Sequence, residues 1–269
     1  MNEVRIRQFK RVLVANRGEI AIRVFRALNE LDITSVAVYS KEDKYARFRD
    51  LADEAYPLNP ESGPVDAYLD IPTIIKIAKD HNIDAIHPGY GFLAENPVLV
   101  EECQKNGIAF IGPTVDSMNA MGDKISSKQI AIAAGVPIIP GVDHAMKTVE
   151  EAMEVAEKVG YPVMLKASNG GGGRGMRRCD TEEDVRREFQ LVKNEAKKAF
   201  GNEDIFIEKF LVEPKHIEVQ ILADEHGNVM HLGERDCSLQ RRYQKVVEFT
   251  PAFSVPLGVR QALYDDAVK

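Results

Sequence analysis

The residues best suited to chemistry gather around one glycine run. Ser168-Asn169-Gly170-Gly171-Gly172-Gly173-Arg174-Gly175-Met176 places four glycines in succession and a fifth after Arg174. A backbone without side chains lets amide N–H groups approach a phosphate closely. Ordering such a run costs about 0.5–1 kcal/mol more per glycine than alanine in regular structure, and a ligand that orders it offsets that cost. A flexible surface loop is the competing reading of the run alone. Lys166 lies just before it and interrupts the apolar stretch Val163-Met164-Leu165-Lys166-Ala167. A buried ammonium needs an anion, either a carboxylate or a phosphate, and the neighbouring glycines favour phosphate. Lys124, in Met121-Gly122-Asp123-Lys124, falls on a helical stretch with Lys128 one turn later, a pattern that solvated helix faces share.

The order of these residues narrows the class of site. Gly170, Gly172 and Gly175 satisfy G-x-G-x-x-G, but Met176-Arg177-Arg178-Cys179-Asp180 does not open the apolar helix that a dinucleotide fold requires. The Gly-Lys-Ser/Thr end of a Walker A loop is absent. In a protein kinase the lysine follows the glycine loop on a later strand, whereas Lys166 precedes it. A strand lysine, a glycine flap and a second strand ending in Glu208-Lys209 remain, an order that suits a flap over nucleotide phosphates. Further along, His216, Glu218 and Gln220 share one side of an alternating strand, a pattern usually explained by solvent exposure. The segment from Glu234 to Lys245 is dense in charges of both signs; it reads as a solvated loop or as a site for a small anion and a phosphate. Ala145-Met146-Lys147 imitates the core of a biotin-acceptor sequence. It precedes a capped helix in an α/β region instead of sitting at a hairpin tip, so coincidence explains it.

The elements that must position these groups begin as an α/β pattern. A strand over 12–15, a helix over 19–31 with apolar residues at helical spacing, and a strand over 36–39 form a βαβ unit, hence a parallel sheet. A helix over 71–80 with Pro72 in its first turn, and strands at 85–87 and 109–111, complete a doubly wound domain over 1–111. Residues 112–140 read as a helical connection. A capping box at Thr148–Glu151 opens a helix to about Val159, and strands follow at 163–167 and 205–210 around a charged helix near 181–200. A hairpin through His226-Gly227-Asn228 joins a strand over 215–223 to one over 229–232.

Composition sets the outer limits. The 269 residues are 44% hydrophobic and 29% charged, enough to bury a sizeable core. A net charge of −7 argues against a general nucleic-acid coat. No apolar run is long enough for a membrane span, and Met1–Lys10 is too charged for a signal peptide. Cys103, Cys179 and Cys237 lie far apart with no C-x-x-C, which predicts a reducing, cytoplasmic setting without disulfides or zinc. The last residues read as a helix still in progress, so a fragment of a longer protein is expected.

Taken in order, Val14-Ala15-Asn16-Arg17-Gly18-Glu19-Ile20-Ala21, His87-Pro88-Gly89-Tyr90-Gly91-Phe92-Leu93, Met121-Gly122-Asp123-Lys124, the glycine flap and Glu234-Arg235-Asp236-Cys237-Ser238 resemble the biotin carboxylase component of the biotin-dependent carboxylases. Each is weak alone; together they span nearly the whole chain. Tyr39–Asp43, Tyr45–Arg49 and Ala52–Tyr56 look most like the branch that carboxylates pyruvate, with the acetyl-CoA and propionyl-CoA carboxylases as the alternatives, and a non-catalytic nucleotide-binding remnant as a third reading.

The resemblance implies an α/β fold: a doubly wound parallel-sheet domain over 1–111, the connection over 112–140, an ATP-grasp lid with the glycine flap over 141–210, and the start of a third, incomplete α+β subdomain over 211–269. It implies ATP- and bicarbonate-dependent carboxylation of biotin. By position, Lys124 and Lys166 would hold phosphates beneath Gly172, Gly173 and Met176 of the flap. Glu208, Lys209 and Leu211 would line the adenine site, His216 and Gln240 would contact the sugar, and Lys245 would act catalytically on bicarbonate. Tyr243 stands where relatives carry a histidine near the nucleotide. The Mg2+ ligands, the base and the biotin-steadying arginine are expected beyond residue 269, and biotin on a carrier domain absent here, with the whole protein a homo-oligomer.

Overall fold

The structure, a computed structural model, describes residues 7–269 apart from 123, 143, 168–174, 202 and 242–243. The chain divides into two units, 1–123 and 124–269.

The first unit opens with β1 (Arg11–Val14), α1 (Gly18–Glu30) and β2 (Thr34–Tyr39). A short α2 (Arg47–Asp50) leads to β3 (Glu54–Pro57). There follow α3 (Ile71–Asp80), β4 (Ala85–His87), α4 (Pro97–Lys105), β5 (Ala109–Phe110) and α5 (Val115–Gly122). The five strands are parallel in the order β3-β2-β1-β4-β5, the doubly wound arrangement that the βαβ pattern predicts. Helices on both faces explain why the strands are continuously apolar instead of alternating. Leu13, Val36, Val38, Ile86 and Leu99 pack on one side; Val12, Val14, Ala37, Phe25 and Leu28 pack on the other.

Among the elements of this unit that escape periodicity are β3 and α4. Four-residue β3 is half-exposed at the sheet edge, and α4 carries a mixed sequence. Helix α4 does announce itself through Asn96-Pro97: the Asn96 side chain accepts from Val98 N at 2.9 Å, and proline needs no donor there. Asp70 caps α3 in the same way, accepting from Thr73 N at 3.2 Å, with Pro72 in the first turn as expected.

The second unit begins with α6 (Lys124–Ala133) and α7 (Val149–Val159), the latter capped by Thr148. Strands β6 (Val163–Ala167), β7 (Met176–Cys179) and β8 (Ile205–Lys209) form an antiparallel sheet in the order β7-β6-β8, with α8 (Glu182–Phe200) connecting β7 to β8. The α8 N-terminus has a full capping box between Thr181 and Asp184, and Gly201 ends it at φ +72°. Buried Val163, Leu165, Ile205 and Ile207 face Val185, Phe189 and Val192 of α8.

A second antiparallel sheet, β11-β10-β9, contains β9 (Ile217–Ala223), β10 (Val229–Arg241) and β11 (Gln244–Phe249), and α9 (Leu257–Val268) follows. The expected hairpin is present, with Asp224 accepting from His226 N and Asn228 N at 2.8 and 2.9 Å. The charged segment after Glu234 is not a solvated loop. Strand β10 continues through it to Arg241, because bulges near Gly233 and between Asp236 and Leu239 let charged residues find partners without ending the ladder. Glu234 and Asp236 are buried, and Glu234 accepts from Ala252 N at 2.9 Å and pairs with Arg260 at 2.9 Å. No helix among the described residues is long and apolar enough to cross a membrane.

Candidate functional site

In the first unit, chemistry-bearing side chains gather at the carboxyl ends of β1, β2 and β4. Asn16 is 3% exposed, and its Nδ2 donates to Pro88 O at 2.7 Å and Tyr90 O at 2.8 Å. Gly89 lies between those carbonyls at φ +64°, where an added Cβ would stand 2.7 Å from Asn16 Nδ2. The crevice at the topological switch point, between β1 and β4, is therefore bridged by protein. Arg17 makes a two-pronged bond to Asp43 at 2.6 and 2.5 Å, and the buried Tyr68 hydroxyl donates to the same carboxylate at 2.7 Å. The Arg17 guanidinium, helped by Tyr68, holds the Asp43 carboxyl below its usual range against the opposing effect of burial.

In the second unit, register puts Lys166 of β6 opposite Phe206 of β8 and Met176 of β7. Glu208, two residues along β8, pairs with the Lys166 ammonium through Oε2. Its other oxygen, Oε1, accepts from Lys128 Nζ of α6 at 3.0 Å. Burial pushes the Glu208 carboxyl up, but hydrogen bonds and charge from Lys166 and then Lys128 outweigh it and bring the group below the usual range. Lys166 therefore finds a carboxylate, and the residue that follows Ala167 opens the glycine run. Met176 begins β7 instead of lying within a loop. Lys209 turns its ammonium to Gly160 O and Tyr161 O, both at 2.8 Å, tying β8 to the turn after α7. Leu211 is 44% exposed.

On the other sheet, Glu218 of β9 pairs with both Lys245 of β11 and Arg235 of β10. Arg235 also donates to Gln220 Oε1 at 3.0 Å and lies 3.8 Å from Glu248. Lys245 and then Arg235 lower the Glu218 carboxyl to about 2, against burial. Lys245 is itself raised, chiefly by its hydrogen bond to Glu218. His216 Nδ1 and Gln240 Nε2 are 2.8 Å apart, and Gln240 also donates to Cys237 O at 2.9 Å. The structure thus joins two pairs of expected site residues, Lys166 with Glu208 and His216 with Gln240. Among the described residues, no hydrogen bond links the Lys166 group to the Lys245 group. Gly172, Gly173 and Tyr243 lie outside the described residues, as does the side chain of Lys124.

Sequence reasoning missed Lys128 and Arg235 as members of these groups. Arg235 had a signal: it faces Glu218 across the β9–β10 ladder, on the strand side that His216, Glu218 and Gln220 share. Among the described residues, Glu218, Cys237 and Glu248 form the one cluster of acidic and thiol groups close enough to hold a metal, within 4.8 Å of one another. They do not fit Mg2+. The Glu218 oxygens are engaged by two cations, a thiol is a poor ligand for a hard ion, and burial raises the Cys237 thiol.

Comparison with known proteins accounts for both units. Residues 8–118 match the family described as biotin carboxylase, N-terminal domain, and residues 123–269 match carbamoyl-phosphate synthase L chain, ATP binding domain. Pyruvate carboxylase 1 of Caenorhabditis elegans is 54% identical over 99% of this chain, which spans 23% of that protein. Pyruvate carboxylase of Staphylococcus aureus is 50% identical over 98% of this chain, again 23% of the relative's length. Among solved structures, the biotin carboxylase domain of Hydrogenobacter thermophilus 2-oxoglutarate carboxylase, in complex with MgADP, ADP and bicarbonate, superposes with a TM-score of 0.87 at 50% identity. The match covers 98% of this chain and 58% of that one. The chain therefore belongs, over 123–269, to the family of the carbamoyl-phosphate synthase L chain ATP binding domain, preceded over 8–118 by a biotin carboxylase N-terminal domain.

Proposed function

We propose that this chain binds ATP through its second unit and supplies the nucleotide-binding part of the ATP- and bicarbonate-dependent carboxylation of biotin, the first half-reaction of a pyruvate carboxylase. The observation that carries the reading is Lys166, held by Glu208 at the end of the strand that runs into the glycine-rich segment. Residues 141–210 act as the lid, residues 211–269 as the opening of the following subdomain, and residues 112–140 as the connection from the domain over 1–111.

In this reading Lys124 and Lys166 hold the phosphates, with Gly172, Gly173 and Met176 above them. Glu208, Lys209 and Leu211 flank the adenine, the His216–Gln240 pair and Tyr243 meet the nucleoside, and Lys245 draws bicarbonate. A bicarbonate oxygen attacks the γ-phosphorus while the bond to the β–γ bridging oxygen breaks, giving ADP and carboxyphosphate. Carboxyphosphate then releases CO2 and phosphate. Lys166, already held by Glu208, stabilises the charge that moves in the first step, the main protein contribution to phosphoryl transfer. Biotin on a carrier domain supplies the nitrogen that accepts the carboxyl group, and Mg2+ bound with the nucleotide would neutralise phosphate charge.

Three buried, free cysteines fit a reducing compartment such as the cytoplasm, and the biotin carboxylase domain dimer of the Hydrogenobacter thermophilus relative supports a homo-oligomeric whole protein. Isothermal titration with ATP tests the core of the reading. The unmodified chain is expected to bind ATP, and Lys166→Met is expected to bind about ten-fold more weakly, the loss of one charge-assisted contact. Equal affinity of the two proteins would refute the role of Lys166.

A further inference from the structure

Lys128 is not the solvated helix residue its spacing suggests. Its side chain is only 16% exposed, less than that of Lys166 at 29%. The two ammonium groups occupy the two oxygens of one carboxylate, Lys128 on Oε1 and Lys166 on Oε2 of Glu208. Two partly desolvated cations thus share one anion, and these three side chains together carry one unit of positive charge. Keeping like charges side by side away from water is unfavourable unless a further anion completes the group. Each ammonium has three donors, and among the described residues Glu208 takes one on each, which leaves donors for such an anion.

We propose that Lys128 is a second phosphate-holding cation of the nucleotide site, coupled to Lys166 through Glu208; the proposal rests on the ATP-binding reading above. Glu208 acts as the spacer that sets both ammonium groups before the ligand arrives. Removing Lys128 leaves Lys166 and Glu208 as a neutral pair, in which the carboxylate competes with phosphate for the single remaining cation. The effect therefore grows with the number of phosphates on the ligand.

The test is a titration series of adenosine, AMP, ADP and ATP against the unmodified chain, Lys128→Met and Lys128→Arg. Lys128→Met is expected to weaken ATP binding about ten-fold, ADP binding less, and adenosine binding by under about two-fold. Its ATP affinity is also expected to fall less steeply with added salt, and Lys128→Arg is expected to recover most of the lost affinity. Wild-type ATP affinity in Lys128→Met would overturn the proposal. So would an equal loss for adenosine and ATP, which would mark a merely structural contact. Failure of the unmodified chain to bind ATP would instead remove the reading on which the proposal stands.

Discussion

Replacing Glu218 by glutamine keeps its shape but removes the charge that holds Lys245 and Arg235. The magnitude follows from the lowered carboxyl. Each pH unit below the ordinary value corresponds to ~1.36 kcal/mol of preference for the charged form. A fall from 4.5 to about 2 therefore amounts to about 3–3.5 kcal/mol before screening. The Lys245 and Arg235 side chains are each 35% exposed, and solvent screening reduces the expected effect to ~1–2 kcal/mol. The sign is fixed by the direction of the shift. A depressed folded value stabilises fully above the unfolded value near 4.5, and that stability is lost as pH falls from there towards 2. Glu218→Gln has no such titration, so its deficit is largest at neutral pH and shrinks below pH ~4.5. Carboxylates elsewhere titrate in both proteins and cancel in the difference. Hydrogen exchange of peptides spanning 217–249, compared at matched pH from 7 to 3, reads this sheet directly. A deficit that is absent at pH 7, or that stays constant down to pH 3, would refute the reasoning.

Two further outcomes follow from the first unit and from the thiols. Gly89→Ala is expected to destabilise that unit by about 2–5 kcal/mol, from the left-handed backbone and from displacement of the buried Asn16 amide off two carbonyls. Urea unfolding followed by circular dichroism checks it, and an unchanged midpoint would show that the loop adapts freely. Cys103 and Cys179 are buried with thiols pushed up to about 12, and Cys237 is buried and raised as well. All three are expected to label with iodoacetamide only in denaturant, and rapid labelling of the native protein, read by mass spectrometry, would contradict the burial.

Much of this fold is legible where one physical cause dominates. The doubly wound unit follows from apolar strands at βαβ spacing, α7 from its cap, the β9–β10 hairpin from turn chemistry, and α8 from a long charged helical stretch. Strand β7 was not legible, because Met176-Arg177-Arg178-Cys179 has two adjacent arginines at its centre, no alternation, and acquires its strand from pairing with β6. Strand β10 beyond Gly233 was obscured for a similar reason. Local charge density suggested a loop, whereas buried Glu234 is satisfied by Ala252, Arg260 and Tyr264, which lie later in the chain. The site divides along the same line. Lys166 is visible because it breaks an apolar run. Lys128 is not, since nothing in its own helix shows that Glu208, 80 residues away, will receive it.

The two charged groups of the second unit differ in a way that bears on which anion each can hold. Around Glu208 two lysines meet one carboxylate, and both cations are partly shielded from water, Lys128 the more so. Around Glu218, Lys245 and Arg235 meet one carboxylate closely, with a second, Glu248, 3.8 Å from Arg235. The first group has positive charge to spare and is the less exposed of the two, which suits a polyphosphate. The second is nearly balanced and more open, so an anion there must compete with Glu218 for Lys245. A small, weakly held anion such as bicarbonate meets that condition better than a nucleotide does, because it can be exchanged without dismantling the sheet that positions it. In a chain of net charge −7, attraction of anions depends on this local pairing and not on the overall field. Holding each cation on a carboxylate beforehand lowers the ordering cost when the ligand arrives.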